Sequence, residues 1–93
     1  MASSGESGII GLNPESHSSR TETKHITFSN AFGSTPAVTA GIIHIDSASR
    51  SSSAVRIDVQ VQHVGTTGFD LTAHEWLDSH NHGVTLSWMA CSN

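Results

Sequence analysis

The chain has 93 residues, which allows one small domain, and its single cysteine, Cys91, permits neither an internal disulfide nor a cysteine-based zinc site. A formal net charge of −4 with only four Lys and Arg residues argues against nucleic-acid binding, because that function needs a basic surface. No apolar run is long enough to span a membrane. So small a core favours additional stabilisation by subunit contacts, and we expect a homo-oligomer.

The N-terminal residues 1–19 are rich in serine and glycine, with one short apolar stretch at Gly8–Leu12. Two interpretations stay open for this segment: a mobile tail, or a first strand or arm that packs on the domain formed by residues 20–93. The start, Met1–Gly8, lacks the basic flank and apolar stretch of a signal peptide. This predicts a cytoplasmic protein, or one exported without a signal peptide.

The next part of the chain is strand-like. Ile26 and Phe28 share parity, and Gly33–Pro36 is typical of a turn. Ala37–Asp46 carries apolar residues on both parities, which predicts a strand covered on both faces. Val55–Val64 alternates strictly between apolar and polar residues, which predicts a strand that is packed on one side only.

A turn at Gly65–Gly68 precedes an alternating strand from Phe69, and a polar loop at Asp78–Gly83 precedes a last strand from Val84. No stretch has the 3.6-residue period of a helix. Five or six strands joined by short turns predict an all-β fold, an antiparallel β-sandwich or barrel. The predicted core is the inward-facing apolar set Phe28, Val38, Ile42, Val55, Ile57, Val59, Val61, Phe69, Leu71, Val84, Leu86 and Trp88.

His80 and His82 are the tightest group of possible metal ligands, with His74 and Asp78 nearby. Residues two apart on a strand project to one side, so the two imidazoles could share a metal ion. They lie, however, in a predicted turn beside Gly83, and no third ligand has a fixed spacing. We therefore favour a solvated loop and predict neither a metal nor a cofactor.

The sequence offers little for catalysis. It contains no Gly-x-Ser-x-Gly turn, and Cys91 lies two residues from the end. A pair of acids for glycoside hydrolysis needs a deep cleft, which a β-domain with short loops rarely forms. We predict that the protein is not an enzyme.

Trp76 lies where a strand passes into a loop, outside the core parity of Trp88. It either covers the core or presents its ring for stacking against the C–H face of a sugar. Arg56, at the start of the Val55–Val64 polar face, either pairs with an acid across the sheet or supplies paired donors that suit vicinal hydroxyls.

Several short motifs follow one another in a fixed order over about Lys24–Met89. The motifs are Lys24–Phe28 (KHITF), Thr35–Val38 (TPAV), Ile45–Asp46, Val55–Val59 (VRIDV), Thr67–Phe69 (TGF), Trp76 and Leu86–Ala90 (LSWMA). Their order resembles that of the H-type lectin domain, which is found in snail agglutinins and at the C-terminal end of discoidins. The family fold, a six-stranded antiparallel β-sandwich, agrees with the strand count.

The resemblance implies a lectin for galactose-type sugars, above all N-acetylgalactosamine, with shallow sites between the subunits of a trimer or a dimer of trimers. Arg56 matches the arginine that binds sugar hydroxyls from one subunit, and Trp76 matches an aromatic position on the neighbour's side. The outer face of the Arg56 strand, with Asp58, Gln60 and Gln62, would then face the subunit contact.

The sequence departs from the snail agglutinins at two positions of the sugar site. An aspartate that accepts hydrogen bonds from the sugar is replaced by His17, and Glu15 is the nearest acid that could take its role. The histidine that follows the tryptophan is replaced by Leu77, with Asp78 next. Loss of the aspartate supports an alternative function, that of a structural or protein-binding trimer which has lost the sugar site.

Overall fold

The computed structural model describes residues 5–47, 55–77 and 80–92. Over these residues it contains six β-strands and one turn of 3-10 helix, and no helix in the described part of the chain is long and apolar enough to cross a membrane. The strands are β1 (Gly5–Leu12), β2 (Thr21–Thr27), β3 (Ala37–Ser47), β4 (Ile57–Gln62), β5 (Gly68–Glu75) and β6 (Asn81–Cys91), and the 3-10 turn is Pro14–Ser16.

The strands form two three-stranded antiparallel sheets. Sheet A has the order β1-β6-β3, and sheet B has the order β2-β5-β4. The all-β, six-stranded antiparallel sandwich expected from the sequence is confirmed. Because β5 and β6 are the central strands, they carry the most regular buried alternation, whereas β4 is an edge strand that pairs only with β5.

The segment preceding residue 20 contributes an edge strand to sheet A. Strand β1 pairs with β6 along its whole length, from Gly5 opposite Cys91 to Leu12 opposite Val84. Leu12 is buried in the core, and the exposed and half-buried residues of β1 alternate along the strand. Residues 5–12 therefore form part of the sandwich.

The core lies between the two sheets and centres on aromatic side chains. The Phe69 ring packs edge-on against Trp88 at a centroid separation of 5.3 Å, and the Phe28 ring lies 5.7 Å from Phe69 and 4.9 Å from Phe32. Such edge and tilted contacts add to the burial of large apolar surfaces. Of the predicted core, six residues are buried, namely Phe28, Phe69, Leu71, Val84, Leu86 and Trp88. Four more are partly buried and pack against the core, namely Val38, Ile57, Val59 and Val61.

Two members of the predicted core are exposed. Ile42 shares its side of sheet A with Leu86, its register partner, but β3 is an edge strand and leaves the side chain partly uncovered. Val55 lies outside β4, which begins at Ile57, because β5 provides no strand partner beyond Glu75. The prediction that Ala37–Asp46 is covered on both faces is also wrong for this chain, since Ile43 is exposed beside a register shift.

Gly68 begins β5 at a point where two strands approach closely. A Cβ atom there would overlap the carbonyl oxygen of Ile26 and lie 2.9 Å from Nε2 of His25. Because a backbone atom must move, we expect Gly68→Ala to lower the free energy of unfolding by about 2 kcal/mol. Chemical denaturation measures this loss. Gly83→Ala is the control, since a Cβ at Gly83 meets nothing within 4 Å, and equal losses in both variants would contradict the prediction.

Candidate functional site

Arg56 and Trp76 occupy adjacent strand ends within one chain. Arg56 immediately precedes β4 and Trp76 immediately follows β5, and the last pair of the antiparallel ladder is Ile57 with Glu75. Arg56 and Trp76 are each one residue beyond this last pair. Arg56 is half-buried, whereas Trp76 is 40% exposed. The two residues chosen from the sequence therefore both lie just beyond the last strand pair, at one end of sheet B.

His74 lies against Trp76. The imidazole and indole rings are nearly parallel, with an interplanar angle of 12° and centroids 6.0 Å apart. On the other side, a hydrogen bond of 2.6 Å joins Nδ1 of His74 to Oγ1 of Thr21 on β2. The Trp76 indole thus lies beside a nearly parallel ring that is itself anchored to a neighbouring strand.

The outer face of β4 carries a row of polar side chains. Nε2 of Gln60 donates to Asp58 at 2.9 Å, and Nε2 of Gln62 donates to Gln60 at 3.1 Å. All three residues are exposed in the single chain. The strand that alternates most strictly in the sequence therefore has hydrogen bonds along its outer face, and the role of these residues in a subunit contact stays a prediction.

The end of sheet B away from Trp76 holds a carboxylate between two histidines. Asp70 accepts a hydrogen bond of 2.7 Å from Nδ1 of His25 and one of 3.0 Å from Nδ1 of His63. These two bonds, that of His25 first, hold the pKa of Asp70 below its ordinary value. The arrangement keeps Asp70 ionised as an acceptor within the outer face.

Glu15 lies in the 3-10 turn between β1 and β2, and His17 directly follows that turn. The turn starts at Asn13, whose side chain accepts from the backbone N–H of Ser16, and continues with Pro14 in a first-turn position that needs no N–H partner. Both candidate side chains have partners in the chain. Glu15 accepts from Nδ1 of His80 at 3.1 Å, whereas Nε2 of His17 lies 2.9 Å from Oε2 of Glu22. The bond from His80 lowers the pKa of Glu15.

Glu75 is a buried carboxylate that the sequence reasoning missed. It is 0% exposed and holds the fourth inward position of β5, after Phe69, Leu71 and Ala73. Its Oε2 accepts from Nε of Arg20 at 3.1 Å, and its Oε1 accepts from the backbone N–H of Asn81 at 3.0 Å. The sequence feature that points to it is an acid at one of the alternating inward positions of β5, where the other residues are apolar. A carboxylate buried in this way requires hydrogen-bond partners inside the protein.

Arg20 closes the same end of the sandwich. Its backbone adopts a left-handed conformation, with φ of 56°, and its carbonyl accepts from the N–H of Glu75 at 3.1 Å. One guanidinium nitrogen donates to the carbonyl oxygen of Leu77 at 2.8 Å. Arg20 therefore ties the start of β2 to the chain that follows Trp76.

The possible metal ligands differ from those predicted. Strand β6 begins at Asn81, so His82 lies in a strand and not in the predicted loop. The backbone N–H of Asn81, which is buried, donates to Glu75 and fixes the start of this strand. His80 instead meets two carboxylates: ligand atoms of Glu15, Glu75 and His80 all lie within 4.8 Å of one another. Asp78 lies outside the described residues.

We nevertheless expect no metal dependence at this cluster. Glu75 is already neutralised by Arg20, and Nδ1 of His80 already donates to Glu15. A divalent cation would have to displace these partners and lie close to a fixed positive charge. Neither Zn²⁺ nor a chelator should change the midpoint of thermal unfolding. A rise on adding Zn²⁺ that disappears in His80→Ala would contradict this expectation.

The candidate residues do not line the groove on the opposite sheet. That groove, of about 620 Å³, runs along the outer face of sheet A, and its lining is uncharged. Its exposed apolar side chains are Ile9 on β1 and Met89 on β6. The groove has no ionisable side chain that could orient a polar ligand.

Residues 23–91 match the model of the H-type lectin domain, and the chain belongs to this family of carbohydrate-binding domains. Two structures of discoidin II from Dictyostelium discoideum are similar, with TM-scores of 0.83 and 0.81 and 26% identity; the first match covers 96% of this chain and 36% of discoidin II, the second 94% and 35%. The chain thus spans about a third of discoidin II.

The tailspike gp61 of Pseudomonas phage phi297 shares the fold, with a TM-score of 0.65 and 14% identity over 96% of this chain and 15% of the tailspike. No curated protein sequence matches this chain. Family and fold agree on a lectin domain, and the chain is similar to one part of discoidin II.

Proposed function

We propose that this chain is a non-catalytic lectin domain that binds galactose- and N-acetylgalactosamine-type glycans at a shallow site around Arg56 and Trp76. The observation that carries the proposal is the register of β4 and β5, which sets these two residues at one end of sheet B. The indole offers an exposed apolar face, and the guanidinium offers a rigid fork of donors for vicinal hydroxyls.

The site is completed between subunits in this proposal. In the oligomer this end of sheet B lies against its copy on a neighbour, so that a sugar contacts Arg56 of one subunit and Trp76 of the next, with Glu15, His17 and Asp78 as further polar contacts. Asp58, Gln60 and Gln62 face the subunit contact of a homotrimer or a dimer of trimers. A shallow site binds one sugar weakly, so presenting three sites together would raise the affinity for a glycan-coated surface.

One observation favours a second function, a structural or protein-binding trimer without a sugar site. The side chains of Glu15 and His17, which stand where a sugar-binding aspartate is expected, have partners within the chain in His80 and Glu22. A sugar hydroxyl would have to compete with these partners.

Inhibition of red-cell agglutination tests the proposed function and separates the two candidates. Free N-acetylgalactosamine should inhibit agglutination, and glucose at the same concentration should not. A chain that sediments as a trimer but agglutinates no cells would support the structural alternative. A chain that sediments as a monomer would contradict the proposed site between subunits.

A further inference from the structure

We infer that His74 is a positioning residue of the sugar site: its imidazole holds the Trp76 indole in the orientation needed for stacking on a sugar ring. This inference rests on the proposed function. His74 acts through Trp76 and need not contact the sugar itself.

The geometry of the two rings supports this role. Trp76 is the first residue after β5, so its backbone lies beyond the residues of β5 that pair with β2 and β4. The following residue, Leu77, has a φ of 58°, which bends the chain away. His74 lies two residues earlier on the same face of the strand, and its ring is within 12° of parallel to the indole. The Trp76 side chain lies beside the His74 ring and remains 40% exposed.

The His74 side chain is held by a hydrogen bond from a neighbouring strand. In register it lies between Thr21 of β2 and Asp58 of β4. Its Nδ1 is hydrogen-bonded to Oγ1 of Thr21 at 2.6 Å. An anchored flat ring restricts the rotamers of the ring stacked on it, so Trp76 would lose less conformational freedom when a sugar binds.

Two substitutions of His74 separate stacking from structure. We expect His74→Ala to weaken binding of N-acetylgalactosamine about tenfold, because Trp76 loses its support. His74→Phe should restore part of this loss, since it returns a flat ring but not the hydrogen bond to Thr21 that anchors it. His25→Ala is the matched control, an outer-face histidine on sheet B at the other end from Trp76, and it should bind as the wild type does.

A spectroscopic measurement reports on Trp76 without sugar. The chain has two tryptophans, so incorporation of 5-fluorotryptophan gives two ¹⁹F signals, and Trp76→Phe identifies that of Trp76. In His74→Ala the Trp76 signal should shift while the signal of buried Trp88 stays in place. Trp76 and Trp88 signals that both match the wild type would overturn the inference.

The outcomes distinguish this inference from the proposed function. A wild-type chain that binds no galactose-type sugar overturns both the proposed function and the positioning role. A wild type that binds sugar, with unchanged affinity in His74→Ala, overturns the positioning role alone. Weaker binding in His74→Ala together with a shifted Trp76 signal and recovery in His74→Phe supports it.

Discussion

Replacing Arg56 by alanine is expected to weaken binding of N-acetylgalactosamine by about a hundredfold. Hydrogen bonds from a charged donor contribute about 1.5–3 kcal/mol each, and in our proposal the Arg56 guanidinium is the cation that contacts the sugar hydroxyls. Arg56 lies before β4, outside the paired residues of sheet B, so its loss should leave the sandwich folded. Isothermal titration with the free sugar measures the change.

Two variants control this experiment. Arg56→Lys keeps the charge but not the planar fork of donors, so we expect it to bind only weakly better than Arg56→Ala. Lys24→Ala removes another positive charge from sheet B; Lys24 is exposed and its Nζ donates to the carbonyl of Gly11, away from Trp76. It should bind sugar as the wild type does. Equal losses in Lys24→Ala and Arg56→Ala would indicate a general effect of charge.

Replacing Glu75 by alanine should cause the largest loss of stability, about 3 kcal/mol in the free energy of unfolding. The substitution removes the acceptor for Asn81, which is 0% exposed, and the partner of Arg20. Part of the cost at Arg20 is recovered, because its side chain is 29% exposed and water can solvate it. Chemical denaturation followed by circular dichroism gives the change in unfolding free energy.

Glu75→Gln and Glu6→Ala complete this test. Glu75→Gln keeps one acceptor oxygen for Asn81 and removes the charge, so we expect an intermediate loss. Glu6→Ala removes a carboxylate that accepts from the backbone N–H of Ser29 at an exposed edge, which should cost about 1 kcal/mol or less. A Glu75→Ala variant as stable as Glu6→Ala would contradict the structural role assigned to Glu75.

Strands in which apolar and polar residues alternate in step with buried and exposed side chains were predictable from the sequence. β5 and β6 are central strands, and their apolar residues alternate because one face packs on the core, as Phe69 and Leu71 show. β3 was harder, because apolar residues on both parities suggest two covered faces. In the structure the strand lies at an edge and shifts register between Ile42 and His44, so sequence alternation no longer reports burial.

The candidate site was predictable only in part. Local pattern singled out Arg56 and Trp76, and it predicted the turn at Gly65–Gly68, which a hydrogen bond of 2.9 Å from the Gly65 N–H to the Gly68 carbonyl closes. The register of β4 with β5 was not predicted and is known from the structure. The contacts behind the site were not predictable, because they join residues far apart in sequence. Arg20 reaches Glu75 across 55 positions.

A glycan array probed with the wild-type protein tests the central claim most directly. We predict binding to terminal galactose and N-acetylgalactosamine glycans, with competition by free N-acetylgalactosamine and loss of the signal in Arg56→Ala. An array without signal on any galactose-type glycan, for a protein shown by circular dichroism to be folded, would contradict the account.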